Sequence, residues 1–135
     1  MKYIAVIMIL LVSTLVIGCT ADSKAKRIAQ FDMIWPKLKN PDTAYSDGFR
    51  VIDKYTFQHK GGAKAEQRTH WFIHGVVVAQ NSFGAKLKSG YCVTFITIDG
   101  TDRYFPGHIN ECDRQGPSSS EVSLMKALSD WNPQK

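Results

Sequence analysis

Histidine and cysteine are the side chains of this 135-residue chain best suited to site chemistry. His70 and His74 stand four positions apart, a spacing that would let both reach one metal ion from a helix face. Their surroundings, His70-Trp71-Phe72-Ile73-His74, read as a strand, and four residues of strand span about 13 Å, too far for two ligands of one ion. They are therefore expected to be structural or surface histidines. The aspartates and glutamates are scattered, with no local pair suited to acid/base work, and no serine sits in a G-x-S-x-G turn. The expectation is a protein that binds and does not catalyse, with no metal and no cofactor. The envelope-hydrolase alternative would rest on His70, His74 and His108.

One segment looks like more than scaffold. Gly75-Val76-Val77-Val78-Ala79-Gln80 runs into Asn81-Ser82-Phe83-Gly84-Ala85, where asparagine and glycine accept positive φ and serine bonds locally to backbone. Strand character resumes only at Tyr91, so the connection 81–90 is about ten residues, longer than the usual hairpin loop. Phe83 within it is either a plug into the core, the favoured reading, or an exposed contact residue. Lys86 and Lys88 could address an acidic surface. Asn81, Ser82, Phe83, Lys86 and Lys88 form the candidate binding loop.

The start of the chain carries an address. Lys2 supplies a positive charge and residues 3–18 are apolar except for Ser13 and Thr14, a run shorter than the roughly 20 residues needed to cross a bilayer. Residues 1–18 read as a secretion signal. Val16-Ile17-Gly18-Cys19 then resembles the lipobox of bacterial lipoproteins, which implies diacylglycerol on the Cys19 sulfur, cleavage before it and acylation of the new amine. Several acyl chains would hold the protein on the membrane without spanning it. Thr20 after the cysteine, where aspartate would favour retention, implies export to the periplasmic face of the outer membrane if the source is Gram-negative.

With the signal removed, about 117 residues remain, enough for one domain with a modest core. Loss of Lys2 lowers the formal charge of +5 by one. Basic residues recur at Lys24, Lys26, Arg27, Lys37 and Lys39, then at Lys54, Lys60, Lys64 and Arg68, and such runs are usually solvated faces. Export makes nucleic acid an unsuitable partner and leaves an envelope protein or an anionic envelope polymer. Once Cys19 is lipidated, Cys92 and Cys112 remain for one disulfide, which suits an oxidising compartment.

The elements that must position these residues follow from periodicity. Residues 19–25 read as a lipidated tether and 26–135 as the domain, with a helix over about 23–38 burying Ile28, Phe31, Ile34 or Trp35, and Leu38. Pro36 should bend or end it, and Asn40 before Pro41 could cap a fresh turn. Strands are expected at 49–57, 70–80, 91–98 and 102–109, with Asp99-Gly100 as a hairpin turn and Pro106 marking an edge. Ser118-Ser119-Ser120-Glu121 fits a capping box before a last helix carrying Val122, Leu124 or Met125, Leu128 and Trp131. The fold class is α+β: an N-terminal helix, a four-stranded mainly antiparallel sheet and a C-terminal helix.

Leu38 to Asp42, followed by a strand ending in Asn-Ser-Phe-Gly, is similar to a pattern in small bacterial envelope proteins. That resemblance implies a shared fold and no activity. Those proteins often carry cysteine where this chain has His74, so their disulfide pattern does not transfer. The combined expectation is a lipid-anchored envelope protein acting as a small binding module. The alternatives are an exclusion or immunity lipoprotein carried by a phage or plasmid, a lysozyme inhibitor, disfavoured because lysozymes are commonly basic too, and the hydrolase above.

Overall fold

The computed structural model describes residues 20–62 and 65–130, so the expected signal, Cys19 and Trp131 lie outside the described residues. Helix α1 spans Ala21–Arg27. The Thr20 side chain caps it by accepting from Ser23 N–H at 3.3 Å, and Asp22 in the first turn and Lys24, Lys26 and Arg27 in the last complement its dipole. The segment expected as a tether is thus mostly helix, because Thr20 can cap and Ala25 is buried against the sheet.

Past Arg27 the helix widens. Over Ile28–Ile34 it is π-helical, and Trp35 N–H donates to the Gln30 carbonyl five residues back. The buried side chains accordingly recur five apart, Ile28 with Met33 and Ala29 with Ile34. The 3.6-residue stripe expected through Phe31 fails for this reason, and Phe31 is half exposed. A 3₁₀ turn at Trp35–Lys37, which includes the proline, ends the helix.

Among the described residues four strands follow: β1 (Tyr45–His59), β2 (Glu66–Gln80), β3 (Lys86–Ile98) and β4 (Tyr104–Cys112). They form one antiparallel sheet in the order β1-β2-β3-β4. Strands β1 to β3 are longer than their apolar stretches, since backbone pairing continues into polar residues such as Gln67↔Gln58 and Lys86↔Gln80. Central β2 is buried on both faces. Trp71, Ile73 and Val77 join Val93 and Phe95 under the N-terminal helical segment to make the core. The Phe49 ring lies over Gly75, where a Cβ would stand 2.2 Å from it.

Strand β4 is an edge, as Pro106 suggests. The register jumps from Val93↔Ile109 to Phe95↔Pro106, leaving Gly107 and His108 as a bulge. A side chain at Gly107 would meet the Thr94 carbonyl, and His108 N–H donates to Thr94 Oγ1 at 3.1 Å. The Cys92 and Cys112 sulfurs lie at disulfide distance, with α-carbons 5.9 Å apart.

Helix α2 (Ser119–Asp130) is the last described element. Its capping box forms: Ser118 N–H donates to the Glu121 carboxylate at 2.6 Å, and Glu121 N–H donates to Ser118 Oγ at 3.3 Å. Lys126 pairs with Asp53 of β1 and lies 6.0 Å from the Phe72 ring centre, on the sheet face opposite the core. The fold is α+β and mostly sheet.

Candidate functional site

The β2–β3 connection is five residues, 81–85, and not the ten expected. Lys86 and Lys88 therefore belong to β3. The loop is tightly built around Asn81. Its N–H donates to the Ala85 carbonyl at 2.9 Å, and Gly84 N–H donates to the Asn81 carbonyl at 3.1 Å. Its side-chain oxygen accepts from Phe83 N–H at 2.9 Å and Ala85 N–H at 3.0 Å. Gly84 adopts φ +80°, a backbone conformation that glycine reaches at no steric cost. From below, the Asn40 side chain donates to the carbonyls of Gln80 at 3.0 Å and Asn81 at 3.3 Å. It makes no cap of its own turn, contrary to expectation.

Phe83 rides on this loop with 94% of its surface exposed, so it is not the core plug favoured from sequence. Ser82 is exposed beside it. Lys88 forms an ion pair with Asp47 of β1, reaching across β2, where Val78 lies between its register partners Lys88 and Tyr45. Lys86, opposite Gln80, remains exposed, and Leu87 between the lysines is half exposed. The structure thus brings Asn81, Ser82 and Phe83 together at a tip, while Lys86 and Lys88 stand on the strand behind it. The signal for this was the asparagine itself, whose side chain can organise the next four residues.

The other end of the sheet holds helix α1. Lys24 Nζ donates to the Thr101 carbonyl at 2.8 Å and pairs with Asp102 at 2.6 Å, which fixes α1 to the β3–β4 turn. Strand β3 runs from Lys86, beside the tip, to Ile98, beside that turn. Its length puts Thr20 and Phe83 at opposite ends of a sheet about 40 Å long, at about 3.3 Å per strand residue.

The histidines are engaged separately. His70 Nδ1 lies 2.8 Å from the Tyr55 hydroxyl, and its ring stacks on Phe72 at 4.7 Å. His74 Nε2 meets the Asp113 carbonyl at 2.9 Å, so that nitrogen carries the proton. Among the described residues no group of three or more His, Cys, Asp or Glu side chains could hold a metal ion. Burial and the nearby Glu111 raise the Tyr91 hydroxyl pKa; burial and Asp32 raise that of Tyr104. A cavity of about 330 Å³ beside Trp71 is lined by Thr56, Thr69 and Thr97. Its polar groups already have partners: Thr69 Oγ1 donates to Asp99 at 2.8 Å and Trp71 Nε1 to Thr97 at 2.8 Å. No protein-family model matches the chain, and no curated protein or solved structure matches it.

Proposed function

We propose that this chain is a lipid-anchored envelope lipoprotein that acts as a small binding module, inserting Phe83 into an apolar pocket of a partner protein. One observation carries the reading: a 94% exposed aromatic stands on a loop closed by four hydrogen bonds. A ring held in water adds no packing to its own domain. Held rigidly, it loses little entropy on docking, and buried aromatics commonly dominate interface energies.

The anchor adds direction. Lipid on Cys19 would sit one residue before Thr20, at the end of the sheet marked by Thr101 and Asp102. The membrane would then hold that end while the tip points away from it, toward partners in the envelope space. The cysteine pair fits such a setting, because disulfides persist in oxidising compartments.

A photo-crosslinking amino acid placed at position 83 in intact cells tests the proposal. A discrete protein adduct from position 83, absent when the probe is placed at exposed Thr101, is expected. No adduct from position 83, or the same adducts from both positions, would contradict it.

A further inference from the structure

The sheet has two edges of different character. Strand β4 is closed to further pairing, because Pro106 offers no N–H and the Gly107–His108 bulge breaks its register. Strand β1 is not. After its irregularities between Ser46 and Asp53 it pairs with β2 residue for residue from Asp53↔Phe72 to His59↔Glu66. Among the described residues its other side meets no strand. Seven consecutive residues therefore present a regular edge without proline or glycine, and backbone groups of alternate residues are turned outward.

From this edge we infer that β1 pairs antiparallel with β1 of a second copy of the chain, about a two-fold axis at Thr56. The side chains select that register. About Thr56, Asp53 falls opposite His59 of the other copy, Lys54 opposite Gln58, Tyr55 opposite Phe57, and Thr56 opposite its own equivalent. An acid faces an imidazole and an aromatic faces an aromatic, and no like charges meet. Moving the axis one residue back, to Tyr55, sets Asp53 against Phe57. Moving it to Phe57 sets Lys54 against Lys60, and moving it to Lys54 sets that lysine against itself.

The pairing also continues what the domain already builds. Residues of β1 and β2 that face each other share a sheet face, so Tyr55 and Phe57 lie on the side of His70 and Phe72. Tyr55 has ring centres 5.9 Å from Phe57, 5.2 Å from His70 and 6.3 Å from Phe72. Among the described residues the row reaches as far as this edge strand, where Tyr55 is 37% exposed. A second copy would extend it through four more rings and make one eight-stranded sheet. Its symmetry is closed, so the assembly stops at two. This inference is independent of the role given to Phe83.

Thr56→Cys tests it in the full chain, purified in mild detergent. Antiparallel partners directly opposite one another hold their α-carbons about 4.5–5.5 Å apart, inside the range a disulfide bridges. Mild oxidation should convert most of Thr56→Cys to a covalent dimer. Gln58→Cys, which would lie opposite Lys54, should remain uncrosslinked, as should the unmodified chain. Sedimentation should show a dimer for the unmodified chain, and Thr56→Lys, which sets two lysines on the axis, should weaken association at least tenfold with an unchanged circular dichroism spectrum. A monomer at tens of micromolar would overturn the inference. So would crosslinking of Gln58→Cys in preference to Thr56→Cys, or a dimer indifferent to Thr56→Lys.

Discussion

Opening the Cys92–Cys112 link should cost the domain about 3 kcal/mol, on a chain-entropy account of a loop of this size. The two residues are 20 positions apart, and a loop of that length loses about 11 cal/mol/K in the unfolded chain when it is closed. Cys92 is 1% exposed, so replacing it by alanine also leaves a small void, and the double variant should lose slightly more than the reduced protein. Cys112 further holds the strand end just before Asp113, whose carbonyl takes the His74 ring proton. Against a usual total of about 5–15 kcal/mol this is a large share, equivalent to a fall in Tm of about 10–20 °C. Urea unfolding of the oxidised protein, the reduced protein and Cys92→Ala/Cys112→Ala measures it. The slope with denaturant should also rise, because an unlinked chain exposes more surface. Oxidised and reduced forms that agree within about 1 kcal/mol would refute the reasoning. So would alkylation of both thiols in the unreduced protein.

Gly75→Ala should destabilise the domain by about 1–3 kcal/mol through overpacking, because the added carbon meets the Phe49 ring at 2.2 Å. Combining it with Phe49→Leu should cost less than the two changes summed, and strict additivity in urea unfolding would show that the ring is not the obstacle. Hydrogen bonds from Ser118 hold the Glu121 carboxyl below its ordinary pKa. The cap should therefore be complete above the usual carboxylate range and lost as pH falls through the lowered value, so the first turn of α2 frays in acid. An NMR titration of Glu121 with an ordinary midpoint would contradict this.

What could be read from the sequence was local or nearly forced. The capping box needs only two side chains three residues apart, and once Cys19 is assigned to lipid the remaining cysteines allow one pairing. The edge position of β4 followed from the missing N–H of Pro106. Strand ends were hidden because polar residues such as Lys86 pair by backbone alone and leave no apolar alternation. The π-helical turn was hidden too, since Phe31 fits a 3.6-residue stripe as well as any core residue and only packing shows the five-residue spacing. Asn40 looked like a local cap, yet its partners, Gln80 and Asn81, lie about 40 positions away. No sequence window contains that contact. The exposure of Phe83 was hidden for a related reason: a ten-residue loop can fold its aromatic inward, whereas five residues closed on Asn81 hold it out.

Phe83→Ala tests the central claim most directly when Tm and recovery of the protein crosslinked through position 83 are measured on the same preparation. Stability should stay within about 0.5 kcal/mol, as for other exposed positions, while binding falls by about 30-fold or more, the loss of 2 kcal/mol or greater that marks an aromatic anchor. A loss of about 3–5 kcal/mol in stability would mark Phe83 as a core residue after all. Unchanged recovery would remove the tip from the account of function.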